Sequence, residues 1–416
     1  MNRLSVGVAA FLLLNLSGQG FAASSSELVV HEWGTFTSLQ GSNGEAQEGM
    51  YHEDEPLPSF VHGRDPLNER PAPVPFPTRP RPPGRPCHGK CFEFAPTPDN
   101  GFTVTQKMET PVLYFYSPTE QHVRVDVGFP LGIISQYYPK PVEFSPAIGS
   151  VRSISGGSVR FEVDLVKGQL PVPYASPRSV YLPARKVASN FLHSGSENEN
   201  LIFYRGLGNF TTGFQATSQG GGLTLVNNDV EKIRAAFLVN VTADGGSIQP
   251  LGEIPASGGR IAVSAQKILE LRNSTMATRY FLRLAERQLT ASLRASGLFA
   301  DESEAMTNTW KTGYFLTPGL RVLYILSRQE TDQILPISVQ PQPKELVRTL
   351  VGRVEVLLDT DEAALVQRVR AERERFQPLD LGRFEESKLR RLLQLESLNA
   401  EEKGFVQKAI SKLAKQ

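Results

Sequence analysis

The sequence predicts an α+β fold, an antiparallel β-sandwich or barrel-like core with C-terminal helices packed on it. Three observations lead there. Residues 102 to about 260 are broken into short β-branched or aromatic runs bounded by Gly, Pro, Asn or Ser. Helical periodicity begins only near residue 263, and the chain ends in charged amphipathic segments. The 35 glycines and 30 prolines are plentiful for a helical protein but ordinary for a β-rich one with many turns.

The elements follow in order along the 416 residues. Residues 1–22 read as a secretory signal peptide, with basic Arg3, an apolar stretch from Val6 to Leu16, and small Gly20 and Ala22 before the expected cut. The run is too short to span a bilayer. "LVVHEWGTFTSLQGSNG" at 28–44 is a strand entering a turn. Strand alternation sends His31 and Trp33 to one face and Glu32 to the other.

An irregular region follows, about 41 to 101, with a proline-rich arm at about 65–100. Eight prolines between Pro71 and Pro86 exclude helix and central strand and favour an extended arm. Cys87 and Cys91 are expected to form a local disulfide in an oxidising compartment. Their alternative, metal binding with His88, lacks the second ligand pair of a zinc site.

Strands are expected in "TPVLYFYS", "HVRVDVGFP", "GIISQYYP", "SVRFEVDLV", "NLIFYRGL", "FQATS", "GLTLVNN" and "RAAFLVNVT". Glycines 220 to 222 read as a hairpin turn. In the helix over "RYFLRLAERQLTASLRASG", Leu282, Ala285, Leu289 and Leu293 form the apolar stripe. The next helix carries Asp301 and Glu304 in capping-box spacing. Two β-type runs, "LRVLYILS" and "VRTLVGRVEVLL", precede three terminal helices. The first of these is capped near Asp359 or Thr360, with Leu365, Val369 and Phe376 inward. The last is capped by Asn399 and Glu402. The expected organisation is a signal peptide at 1–22, a β-rich domain at 23–262, and an α+β and helical region at 263–416 packed on it.

Composition excludes several function classes. With 44 basic and 43 acidic residues, nothing favours nucleic acid or an anionic membrane surface. No segment after the leader approaches ~18 continuous apolar residues, so no transmembrane segment is expected once the signal is cleaved. His31-Glu32 is not a zincin motif, since Thr35 stands where the second histidine belongs. "HEDE" at 52–55 reads as a solvated acidic loop, and no metal is expected. Ser264 and Lys267, with Lys311-Thr312-Gly313, match the spelling but not the context of a penicillin-binding site. "GLGNFT" lacks the third glycine of a dinucleotide fingerprint, and no cofactor is expected.

Glycosidase chemistry needs two carboxylates about 5 to 9 Å apart, which can be remote in sequence. Glu32 and Glu109, both beside β-runs, are the catalytic candidates. His31, Glu32, Trp33, Arg205 and Trp310 are the ligand-binding candidates, expected to meet where elements end. They belong to stretches that mix aromatics with charge, as do Lys107, Tyr204, Thr309, Arg321 and Arg353. That mixture suits a sugar or an anion, and equally the buried polar contacts of a large β-domain.

Taken together, "HEWGTFTSLQGSNG", "KMETPVLYFYS", "VDVGFPLGIISQYYP", "ENLIFYRGLGNF", "ESEAMTNTWKTGYF", "GLRVLYIL" and "QPQPKELVRTLVGRVEVL" resemble a family of uncharacterised secreted bacterial proteins with an N-terminal HEWGTFT motif. The resemblance spans about 29 to 357. The chain departs from the pattern at Gln136-Tyr137, where Glu-Trp is expected, and near Tyr314, where a tryptophan is expected. A site using those positions would be altered here. The resemblance implies one shared architecture and no particular activity.

The functional expectation is a periplasmic or extracellular protein that binds a polar ligand, glycan-like or anionic. The alternatives are a carboxylate-dependent hydrolase acting on glycans, and a structural or partner-binding envelope protein. A close carboxylate pair in an open cleft would favour the enzyme.

Overall fold

The computed structural model describes residues 27–51, 57–63, 102–147, 151 and 153–413. The leader, the cysteines, His52, His88 and the proline-rich arm lie outside the described residues. Three sheets form the β-framework. The largest runs, edge to edge, β16 (Met276–Ala277), β14 (Gly245–Ile254), β13 (Ile233–Val241), β17 (Gly319–Ile325), β19 (Glu345–Val356), β1 (Val29–Gln40), β3 (Gln106–Tyr116), β10 (Ile202–Gly208), β5 (Gly132–Tyr138) and β2 (His62–Gly63). A second sheet orders β18 (Ile337–Gln340), β4 (Gln121–Phe129), β7 (Gly157–Val166), β8 (Phe191–Ser194) and β9 (Glu197–Glu199), with β6 (Glu143–Ser145) also on β7. The third joins β11 (Phe214–Gln219), β12 (Gly222–Asn227) and β15 (Gly259–Val263).

The helices are α1 (Ala265–Asn273), α2 (Thr278–Ala295), α3 (Ala300–Lys311), α4 (Arg328–Ile334), α5 (Asp359–Glu374), α6 (Glu385–Gln394) and α7 (Ala400–Leu413). One face of the large sheet packs on the two smaller sheets, joining Val30, Phe36, Leu238 and Val322 to Val125, Phe161 and Leu225. The opposite face packs on α2 and α3, joining Trp33, Tyr114, Val239 and Leu323 to Phe281, Leu289, Met306 and Trp310. Helices α5 to α7 bury a cluster of their own around Val369, Leu389 and Val406. The predicted sandwich with packed helices is present. The barrel alternative is not, because the sheets are open. Among the described residues, both edges of the large sheet are two-residue strands.

The strand pairing departs from expectation at one place. Pairing is antiparallel except at the centre, where β1 runs parallel to β19. The cause is topological: β17 and β19 come from the C-terminal third and insert between β13 and β1. The large sheet thus takes strands from both sides of residue 262.

Local chemistry accounts for the helix ends. Ser264 caps α1 by accepting the Lys267 N–H at 3.2 Å, which gives the S-x-x-K spacing a structural role. Asn399 and Glu402 exchange hydrogen bonds at 2.8 and 2.9 Å, the expected capping box of α7. On α3 the capping acid is Glu302, which accepts the Phe299 N–H at 2.7 Å, rather than Glu304. Asp359 does not cap α5 but accepts from Gly220 and Gly221 N–H at 2.6 and 2.9 Å, pinning the predicted hairpin turn. Phe376 is 93% exposed instead of inward. Helix α5 ends at Glu374, and a φ of 54° at Phe376 turns its ring away from the stripe that buries Val366 and Val369.

Candidate functional site

The site is built on the helix-facing side of the large sheet. Along β1 the odd positions His31, Trp33, Thr35 and Thr37 face α3 and the turn after it. The even positions Val30, Glu32 and Phe36 face the smaller sheets. Strand β3 cannot keep one phase, because Pro111 interrupts it. Pairing slips between Trp33 and Thr35 on one side and between Phe203 and Gly206 on the other. Thr110 takes a φ of 48°, a left-handed conformation that costs a β-branched residue roughly 1–3 kcal/mol. Gly34 sits opposite, where a Cβ would be crowded at 3.0 Å from Pro111. The bulge swaps faces: Lys107 and Glu109 share the helix side with Val112 and Tyr114 beyond it.

A row of buried ionisable groups crosses this side. Arg205, 1% exposed, donates from Nε to Thr110 Oγ1 at 3.4 Å. Glu109 accepts from Thr37 Oγ1 at 2.6 Å and lies 3.4 Å from Lys107 Nζ. The Tyr314 hydroxyl bonds Thr35 beside them. Next in register, Thr37 pairs with Arg353 on β19. Arg353 reaches Glu355 Oε1 through Nε at 2.7 Å and Nη2 at 2.6 Å, while Arg321 Nε on β17 is 2.9 Å from the same oxygen. Arg321 also donates to the carbonyls of Gly313, Tyr314 and Thr317 at 3.0, 2.7 and 2.6 Å, capping a helical C-terminus. Gly313 makes room for this cluster, since its Cβ would lie 2.9 Å from Arg353 Nη1.

Two buried guanidinium groups thus share one carboxylate. Burial pushes Glu355 up, but the attraction of Arg321, Arg353 and Arg383 outweighs it and holds the carboxyl below its ordinary range. Burial brings Arg321 down to about 10, with repulsion from Arg353 and Arg383 adding to the shift against the pull of Glu355. Phe384 closes the row. Its ring centroid is 5.4 Å from the Arg353 guanidinium, 4.9 Å from that of Arg383 and 5.9 Å from Lys107 Nζ.

Beyond Glu355 and Phe384 lies a cavity of about 700 Å³ between the ends of β1, β17 and β19 and helices α5 and α6. A smaller one of about 160 Å³, lined partly by Lys107, adjoins the same Gly382–Arg383–Phe384 turn. Four basic residues line the large cavity among the described residues, Arg272, Arg368, Arg383 and Lys388, against two acids, Glu355 and Asp361. Asp361 is engaged by Arg272 at 2.8 and 2.9 Å. Glu355 is held by the arginines behind it. The Lys388 ammonium donates to the Leu381 carbonyl at 2.8 Å, and burial holds it below the ordinary lysine range.

Of the predicted residues, Glu109 and Arg205 both lie in this row, on either side of the bulge's Thr110 contact. Trp33 and Trp310 share the α3 core instead, with Trp310 stacked on Tyr314 at 6.0 Å. His31 is buried farther along the same face, its Nδ1 2.8 Å from Glu302 Oε2 and its ring against Tyr116 and Phe299. Glu32 is on the other side of the sheet. It is fully buried, accepts from the Tyr204 hydroxyl, and pairs with Arg348 Nε at 2.5 Å. None of them stands at an open mouth, and Glu32 and Glu109 do not face one another across a cleft. On the Glu32 side, burial and the nearby Asp229 push Glu330 up to about 7, opposed by the Gly213 N–H bonded to its carboxylate.

Sequence reasoning missed Glu355, Arg383, Phe384 and Lys388. One signal was available. In "VRTLVGRVEVLL", Arg353 and Glu355 alternate with apolar residues in a run otherwise suited to a central strand. Charges in such a place must be paired and buried.

No family model matches the chain, and no curated protein matches it in sequence. Among solved structures it is similar to the Mu homology domain of Fcho1 from Danio rerio, solved with a bound Eps15 peptide. That similarity covers 80% of this chain and 98% of the other, at 6% identity and a TM-score of 0.28. A likeness at that level carries no argument about this chain's ligand.

Proposed function

We propose that the chain is an exported protein that binds an anionic ligand in the 700 Å³ cavity between the sheet ends and the C-terminal helices. The observation that carries the reading is the charge of the lining. Basic groups outnumber acids there, both acids are already engaged by arginines, and burial disfavours the charged form of Lys388. An anion in the cavity would relieve that imbalance through charge-assisted hydrogen bonds. The hydrolase alternative has less support, because Glu32 and Glu109 project from opposite faces and each has basic partners.

Titration calorimetry with inorganic phosphate and citrate tests the reading. Arg383→Gln and Lys388→Gln are each expected to weaken binding about tenfold, roughly one lost charge-assisted hydrogen bond. Both groups are only half-buried, so melting temperatures are expected to stay within a few degrees. Absence of binding by the native chain, or undiminished binding by both variants, defeats the proposal.

Export is supported by the tripartite N-terminus and the resemblance to secreted proteins. Protein recovered from the producing cell is expected to have the mass of a chain starting at Ala23. Thiol labelling under denaturing, non-reducing conditions is expected to find Cys87 and Cys91 both blocked. A chain still starting at Met1 contradicts export, and two labelled thiols contradict the disulfide.

A further inference from the structure

We infer that the ligand is an amphiphilic acid, an anionic head on an apolar body such as a medium-length acyl chain. The inference rests on the anion-binding reading above and specifies its ligand class. Leu39, Leu320, Val356 and Leu357, at the ends of three neighbouring strands, form an apolar floor to the cavity. Leu365 of α5 and Leu381 extend that surface up the helical wall. Arg368, Arg383 and Lys388 come from that same helical side, so basic groups from the helices stand over an apolar floor made by the strand ends.

A small hydrophilic anion would satisfy the basic groups but make no use of the apolar floor. A glycan would need an open aromatic face to stack upon. Phe384 is the one aromatic residue lining the cavity among those described, and the guanidinium groups of Arg353 and Arg383 and the Lys107 ammonium already lie against its ring. An apolar chain needs no such face. The volume also falls in the range of about 300–1,000 Å³ that encloses small organic ligands.

The test is a calorimetric series on the full chain with hexanoate, octanoate and decanoate, all below micelle-forming concentrations, and with inorganic phosphate. Affinity is expected to rise about fourfold for each methylene added. Two variants locate the chain: Leu365→Gln at a half-buried position, and Leu357→Gln on the floor. Either is expected to flatten the dependence on length while phosphate binding persists. Equal affinity across the series with phosphate still bound overturns the amphiphile and leaves the anion site standing. A length dependence untouched by both variants places the chain elsewhere and also overturns it. If neither phosphate nor any fatty acid binds, the anion reading fails as well.

Discussion

Glu32→Gln is expected to destabilise the fold by about 3–5 kcal/mol, the cost of leaving one member of a buried ion pair without its partner. The carboxylate and Arg348 are both fully buried on the sandwich side, with Tyr204 donating to the same group. Burial alone would weaken the charged arginine, yet Glu32 and Tyr204 hold Arg348 above its usual range. Asp332 also contacts Arg348, at 2.7 Å, but it is 43% exposed and screened, so it only moderates the loss. Urea unfolding measures the effect. A double variant, Glu32→Leu with Arg348→Met, is expected to lose much less than the sum of the two single changes. A Glu32→Gln protein within about 1 kcal/mol of the parent would instead mark a solvated surface group.

Glu355→Gln is expected to cost a similar 3–5 kcal/mol, since it strands Arg321 and Arg353 together in the sheet. Its second readout separates a local electrostatic role from packing. Glu355 lines the cavity, so its loss raises the local positive potential and is expected to tighten phosphate binding while stability falls. The parent should also lose stability in acid. A carboxylate held below its unfolded value of about 4.3 contributes fully above that pH and loses its contribution as pH falls through the folded value. The variant lacks that component, so its stability should decline less below about pH 4.5. An equal acid decline in both proteins, or weaker phosphate binding in the variant, contradicts this role.

The local rules were legible where contacts are local. The alternation of His31, Glu32 and Trp33 across β1, the Gly220 to Gly222 turn and the Asn399–Glu402 cap each depend on residues within a few positions. The setting of β1 was not legible. Its burial comes from β19, more than 300 positions away, which lies beside it in parallel and makes β1 a central strand. Glu32 therefore faces Arg348 rather than solvent. The Pro111 bulge was visible as a proline within a β-run, but its effect on Glu109 and Arg205 needed the pairing of β3 with both neighbours. Phe376 failed for a different reason. A 3.6-residue pattern continues in sequence after the backbone has already left the helix.

Anomalous diffraction from bromide-soaked crystals tests most directly whether the C-terminal cavity is an anion site. Bromide carries the charge without any shape of its own, and its anomalous signal locates it directly. An ordered peak inside the cavity, within contact distance of Arg383 or Lys388, is the predicted result. Bromide confined to exposed surface positions, with none in the cavity, would contradict the account.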